Sequence, residues 1–140
     1  MRPVIHRVIA RRRERYALYV FGEFTVDVAD RSLQRRGSRL HLPPKTFAVL
    51  VALVGRANHL VTKRELLDRV WGDTFVEEGI LTVHVAQLRK VLSDSKASPR
   101  YIETVSRAGY RFVAEVRDVI VTAEKARALS RRDPLGAHAL

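Results

Sequence analysis

The fold of this chain is decided by one stretch, residues 78–92, which reads EGILTVHVAQLRKVL. At the helical repeat of about 100° per residue, its large apolar side chains share one stripe: Leu81, Val85, Leu88 and Leu92. The opposite side carries two small apolar groups, one amide and one cation, but no acid: Val83, Ala86, Gln87 and Lys90. The pattern predicts a helix that buries the first side and presents the second.

The acid-free side of this helix suits a polyanionic partner. A solvated helix surface usually mixes both signs of charge, whereas this one does not repel phosphate. The Gln87 amide can donate and accept at once, which matches the N6 and N7 atoms of adenine. Val83 can contact a thymine methyl group, and Lys90 is a candidate phosphate ligand. The rest of the chain is predicted to hold this helix and present that side.

The overall charge favours the same class of partner. The net charge is +11, from 26 basic and 15 acidic side chains. Residues 1–15 hold six Arg and one Glu, so almost half of the excess lies in a short N-terminal arm. Such an excess favours nucleic acid or an anionic membrane surface. For the arm itself, a role in solubility alone stays open.

Several other function classes lack support in the sequence. The chain has no cysteine, which excludes disulfides and thiolate chemistry. Its histidines have no metal-ligand spacing, and there is neither a Gly-rich phosphate loop nor a Ser/His/Asp arrangement, so we predict no enzyme, cofactor or metal site. The longest apolar run, residues 47–54, is far shorter than the ~20 residues of a membrane span. We therefore expect a cytoplasmic protein without a membrane partner.

Short strands are predicted before the first helix. Residues 17–21, 24–28, 32–35 and 38–42 are rich in β-branched and aromatic residues or alternate polar with apolar ones. Arg36-Gly37 suits a tight hairpin turn. Together these segments predict an antiparallel sheet of four strands.

Two more helices are predicted between this sheet and residue 78. Pro43-Pro44 stops the sheet, and proline at a first helical position opens a helix over residues 45–57. Thr62 and Glu65 have the spacing of a capping box, which opens a second helix that Gly72 ends.

A β-hairpin follows the third helix, with strands over residues 101–105 and 110–114 and a four-residue loop, Ser106 to Gly109. The predicted fold class is α+β: a winged helix-turn-helix with an N-terminal four-stranded antiparallel sheet, three helices and a C-terminal β-hairpin wing. The predicted organisation is a basic arm over 1–15, the winged-helix domain over 16–116 and a tail over 117–140. Within the tail, Thr122 to Arg132 could form a short helix.

Four blocks of the sequence resemble the OmpR/PhoB-type winged-helix DNA-binding domain. They read PKTF at 44–47, KRELLDRVWG at 63–72, LTVHVAQLRKVL at 81–92, and YIETV at 101–105 followed by GYRF at 109–112. The blocks stand in the family's order and spacing, and the resemblance covers roughly residues 17–115. The loop FVEE at 75–78 is closer to the branch that resembles CadC, in which the domain begins a one-component regulator.

The resemblance implies a transcriptional regulator that binds double-stranded DNA sequence-specifically, with residues 79–92 as recognition helix in the major groove and the wing, residues 101–114, at the minor groove. Family members commonly bind direct repeats as head-to-tail pairs, and RNA polymerase is a further candidate partner. The predicted DNA-binding residues are Thr82, Val83, Ala86, Gln87, Arg89, Lys90, Arg107, Tyr110 and Arg111. Gln87 stands where many members carry Arg, so an adenine preference is more plausible than guanine reading.

Individual residues have alternative roles. Arg89 lies near the buried stripe, so it is either a phosphate ligand or the partner of an acid such as Glu103. Arg107 either enters a narrow groove or is a solvated turn residue. Arg111 could hold a phosphate at the base of the wing, while Tyr110 more plausibly packs against the helix.

Two other function classes stay open from the sequence. The third helix could dock a partner protein without sequence-specific DNA binding, with Ile80, Val83 and Ala86 as its contact patch. A basic chain could also bind RNA.

Overall fold

The structure of the chain, a computed structural model, describes residues 15–122. The predicted arm, apart from Arg15, lies outside the described residues. The chain forms two compact units. Among the described residues, one unit contains 15–40 together with Arg117–Thr122, and the other contains His41–Val116.

The first unit is an antiparallel sheet in which the strands lie side by side in the order β4, β3, β2, β1 and β8. Strand β1 spans Arg15–Phe21, β2 spans Phe24–Asp27, β3 spans Ser32–Arg35, β4 spans Ser38–Leu40 and β8 spans Arg117–Thr122. The four strands predicted before the first helix are confirmed, with small differences at their ends. Arg36 and Gly37 have φ of 53° and 86°, as a two-residue hairpin turn of this kind requires.

Aromatic packing and ion pairs stabilise the β1–β2 hairpin and its neighbour. Phe21 and Phe24 are buried on either side of the turn, with ring centroids 5.5 Å apart. Glu23, in the turn itself, pairs with Arg35 at 2.8 Å and also with Arg36. These two guanidinium groups lower the pKa of the Glu23 carboxyl. The turn is therefore linked to β3 by charge as well as by the backbone ladder.

Strand β8 corrects the prediction for the C-terminal tail. Residues 117–122 pair with β1 in a register that runs from Val20↔Arg117 to Arg15↔Thr122, so the sheet has five strands in the described part of the chain. Thr122, the first residue of the predicted short helix, lies in this strand. The rest of the predicted helix lies outside the described residues. The segment RDVIVT has the β-branched residues of a strand, but its partner lies at the other end of the chain.

The second unit contains, within residues 41–116, three helices and a small sheet. The helices are α1 (Pro44–Val54), α2 (Lys63–Trp71) and α3 (Gly79–Leu92), and the strands are β5 (Leu60–Thr62), β6 (Ile102–Val105) and β7 (Gly109–Phe112). All three helices therefore match the prediction, although α1 ends at Val54 and not at Ala57. Side chains from every helix and from the wing are fully buried, among them Leu50, Leu66, Leu88, Ile102 and Phe112.

Local sequence signals begin and end the helices. Pro44 occupies the first turn of α1, where its missing N–H is not needed. At α2, the Glu65 amide donates to the Thr62 hydroxyl at 3.1 Å, and the Glu65 carboxylate accepts from the Thr62 amide at 2.8 Å. This is the predicted capping box. Helix α3 ends at Leu92 and is followed by Ser93, which has a φ of 58°.

The wing has a third strand that the sequence analysis did not predict. Strand β5 pairs with β7, and β7 pairs with β6. Gly109 lies opposite both Thr62 and Val105, so it belongs to β7 and the hairpin loop has three residues, not four. A Cβ on Gly109 would lie only 2.1 Å from the Val61 carbonyl oxygen. Glycine is required here because β5 approaches the β7 backbone so closely.

Candidate nucleic-acid interface

Helix α3 has the two sides that its sequence predicts. Leu81, Val85, Leu88 and Leu92 are buried. The opposite side is exposed, and Val83 keeps 55% of its surface accessible, which is unusual for a large apolar residue in this molecule. The other predicted contact residues of this side are exposed as well: Thr82, Ala86, Gln87 and Lys90. The helix therefore presents a long strip without an acidic side chain.

An open groove of about 520 Å³ lies between α3 and the wing. Five of its lining residues are cations: Lys63, Arg89, Lys90, Lys96 and Arg107. Within the described part of the chain, Asp94 is the only acid that lines the groove. The groove also contains Thr82 and Ala86 from α3 and Tyr110 from the wing. Six of the nine predicted DNA-binding residues thus meet along this groove.

The single acid of the groove is occupied by backbone donors. The Asp94 carboxylate accepts hydrogen bonds from the amides of Arg100, Tyr101 and Ile102 at 2.7, 3.2 and 2.8 Å. These bonds fasten the segment before β6 to the end of α3. Because three donors share its negative charge, Asp94 opposes an anionic ligand less than a free carboxylate would.

Arg89 links the recognition helix to the wing. Its Nη2 atom donates to the Ile102 carbonyl at 2.7 Å and to the Thr104 hydroxyl at 3.0 Å. Of the two roles left open for Arg89, the pairing with Glu103 is not formed, because the Glu103 carboxylate pairs with Arg111, across β6 and β7, at 3.0 Å. Arg89 still lines the groove, so its phosphate role stays a prediction.

The other wing residues fall into separate environments. Tyr110 is only 6% exposed, which agrees with the packing role. Arg111 is engaged by Glu103, so a phosphate would compete with that carboxylate. Arg107 is exposed at the tip with a φ of 63°, and the adjoining Ala108 carbonyl accepts from the Lys63 amide at 3.1 Å. The tip is therefore tied to the start of α2 while the Arg107 side chain faces solvent.

A buried hydroxyl that the sequence analysis missed lies beneath the outward side of α3. Thr46, in the first turn of α1, is 0% exposed. Its Oγ1 atom lies 2.7 Å from Nδ1 of His84 and 2.8 Å from Oε1 of Gln87. Burial lowers the pKa of His84. Only the i, i+3 spacing of His84 and Gln87 could have indicated a shared partner, and that spacing does not identify Thr46.

Trp71 is half-buried. Its ring packs against that of His84 with centroids 5.4 Å apart, and the Lys45 ammonium lies 5.9 Å from the Trp71 centroid. The same ammonium donates to the Val70 carbonyl at 3.0 Å. These contacts hold the start of α1 and the end of α2 beside α3.

The geometry defines a class of protein: a helix-turn-helix unit followed by a wing, with an exposed helix surface and a cationic groove. Residues 37–112 match the family described as "Transcriptional regulatory protein, C terminal", and the chain belongs to this family. The resemblance to OmpR/PhoB-type domains is confirmed. Within residues 15–122, no helix is long and apolar enough to cross a membrane, and no three His or acidic side chains are grouped to hold a metal ion.

Known proteins share this region of the chain. The transcriptional regulator HilA of Salmonella typhimurium is 46% identical over 94 residues, which cover 67% of this chain and 17% of HilA. The DNA-binding domain of Escherichia coli CadC is 30% identical, with a TM-score of 0.63 and coverage of 71% and 94%. The Klebsiella pneumoniae RstA DNA-binding domain, solved in complex with the RstA box, is 28% identical, with a TM-score of 0.62 and coverage of 69% and 96%. The chain thus spans less than a fifth of HilA.

Proposed function

We propose that this chain binds double-stranded DNA sequence-specifically as the DNA-binding part of a transcriptional regulator. The observation that carries the proposal is the pairing of an exposed, acid-free surface on α3 with a cationic groove beside the wing. An α-helix fits the major groove of B-DNA, and the cations of the groove beside it can contact the phosphates. The family and the RstA complex support the same function. The proposed activity is binding, without catalysis.

In this proposal each element has a defined part. Helix α3 enters the major groove, where Val83, Ala86 and Gln87 meet base edges, and Thr82 and Lys90 meet phosphates. The exposed Arg107 at the wing tip enters the adjacent minor groove, where a narrow groove attracts a guanidinium. Tyr110 and Arg89 chiefly hold the wing against α3, because Tyr110 is buried and Arg89 donates hydrogen bonds to Ile102 and Thr104 of the wing.

We further propose two protein partners. Copies of this domain bind direct repeats as a head-to-tail pair, and RNA polymerase contacts the DNA-bound domain.

Phe75, on the loop between α2 and α3, is 86% exposed, and exposed aromatic residues are favoured at protein contacts. A Phe75→Ser variant should bind DNA as the wild type does but lose stimulation or repression of transcription in a purified system. We propose the cytoplasm as the location.

The first test is enrichment of bound DNA from a random duplex pool. One sequence should be enriched by the wild type and lost in a Gln87→Ala, Arg107→Ala double variant. Arg39→Ala is the matched control, because it removes one exposed Arg whose charge is paired with Asp30. Binding of a protein partner without any enriched DNA would support the interaction-module alternative. Stronger binding to RNA than to duplex DNA would support the RNA alternative.

The second test is the dependence of affinity on salt. With about five to seven phosphate contacts, the slope of log K against log salt should be near −5 to −6. The Lys90→Ala variant should make this slope shallower by about one unit, because one phosphate contact is lost. A wild-type slope shallower than about −2 would contradict the proposed use of the groove.

A further inference from the structure

The hydroxyl of Thr46 determines which end of the Gln87 amide is available to a base. Thr46 is fully buried below α3, and Gln87 is exposed above it. The 2.8 Å contact joins the Thr46 hydroxyl to the Gln87 carbonyl oxygen. In a planar amide the NH₂ group lies opposite the carbonyl oxygen. The Gln87 carbonyl is therefore held toward the protein, and the NH₂ group is the end left for a ligand.

Hydrogen counting fixes the arrangement of this cluster, which consists of Thr46, His84 and Gln87. A hydroxyl has one hydrogen and two acceptor positions. The Gln87 carbonyl oxygen can only accept, so that hydrogen goes to Gln87. The 2.7 Å contact with His84 then requires a hydrogen on His84 Nδ1. Burial lowers the pKa of His84 and so favours the neutral ring, which carries a single hydrogen. The cluster is then a directed chain, from His84 to Thr46 to Gln87.

We propose that Thr46 and His84 are positioning residues for base recognition, and that they make Gln87 a hydrogen-bond donor that selects guanine. This inference rests on the proposed function. Guanine presents two acceptors, N7 and O6, in the major groove, whereas adenine presents one acceptor and one donor. A Gln side chain pairs with adenine when its carbonyl and NH₂ both face the base. With the carbonyl bound to Thr46, the two hydrogens of the NH₂ group match N7 and O6 of guanine. The adenine preference expected from the residue type is thereby reversed.

Base preference of three variants tests the proposal. For the wild type and for Thr46→Ser, which keeps the hydroxyl, we expect about 5- to 150-fold preference for guanine over adenine at one base pair. In Thr46→Val, which has the same shape without a hydroxyl, the amide can rotate and the preference should fall to about twofold or less. Affinity for unrelated DNA should not change. Gln87→Ala identifies the base pair, because it loses selection at that position.

The outcomes separate this inference from the proposed function. If the wild type selects no DNA sequence, the proposed function fails. If Gln87→Ala alters one position but Thr46→Val retains the wild-type preference there, only the inference fails. The same holds if the wild type selects adenine at that position.

A second measurement needs no variant. The ¹⁵N chemical shifts of the His84 ring in the full chain should report the Nδ1–H tautomer at pH 7. The Nε2–H tautomer would overturn the inference, because the Thr46 hydroxyl would then donate to His84 and the Gln87 carbonyl would be free to face the base.

Discussion

Replacing Gly109 with alanine would test whether the wing depends on its close approach to β5. The new Cβ would lie 2.1 Å from the Val61 carbonyl oxygen and 2.8 Å from the Thr62 Cα. Ordinary contacts between such atoms are about 3.5 Å, so the strands must separate by more than about 1 Å. That separation weakens the β5–β7 ladder and the bond from the Lys63 amide to the Ala108 carbonyl.

The size of the effect follows from these contacts. Overpacking costs about 1–3 kcal/mol. Each weakened backbone hydrogen bond adds up to about 0.5–1.5 kcal/mol. We therefore expect Gly109→Ala to lower the free energy of unfolding by about 2–5 kcal/mol. In urea, where the slope is about 1–3 kcal/mol per M, the unfolding midpoint should fall by at least about 0.7 M. Circular dichroism or tryptophan fluorescence of Trp71 can follow the transition.

Gly79→Ala is the matched control. A Cβ on Gly79 meets nothing within 4 Å, and the residue begins α3. Alanine favours helix by up to about 1 kcal/mol over glycine, so the free energy of unfolding should stay equal or rise. If Gly109→Ala were as stable as the wild type to within about 0.5 kcal/mol, the close approach of β5 and β7 would not be needed and the reasoning would be refuted.

Three further predictions concern the helices. Thr62→Ala should lower the free energy of unfolding by about 1 kcal/mol in a urea titration, because the α2 capping box is lost; an unchanged midpoint would contradict this. Arg89→Met should lower the free energy of unfolding by about 1–3 kcal/mol and speed amide hydrogen exchange in the wing, because the hydrogen bonds from Arg89 to the wing are lost. Amide exchange equal to that of the wild type would show that Arg89 does not stabilise the wing. The Thr62 amide and Arg56 lower the pKa of Glu65 from 4.5, so stability is lost as pH falls from 4.5 through that lowered pKa. Melting temperatures of Glu65→Gln should depend less on pH there.

The sequence alone was enough wherever the deciding residues are neighbours in the chain. Thr62 and Glu65 form their capping box within one turn, and Pro44 opens α1 by the same local geometry. The two sides of α3 follow from helical periodicity, because side chains three and four residues apart share a side. The Arg36-Gly37 turn is local as well. These elements, and the exposed contact side of α3, could be predicted residue by residue.

Residues that depend on distant partners could not be placed in this way. Strand β8 was missed because its partner β1 lies at the far end of the chain, and β5 was missed because three residues form a strand only beside β7. The hydrogen-bond acceptors of Arg89 could not be predicted for the same reason. A long side chain can bond to any acceptor that the fold brings near, here the Ile102 carbonyl.

The orientation of the Gln87 amide shows the same division. Its exposure follows from the periodicity of α3, but the hydroxyl that holds its carbonyl comes from Thr46 on another helix. Local propensities decide which elements form and which side of each faces solvent, since they act through covalent geometry over one turn. Strand register and side-chain hydrogen bonds are decided only when separate elements pack, because their partners are brought together by tertiary contacts and not by chain order.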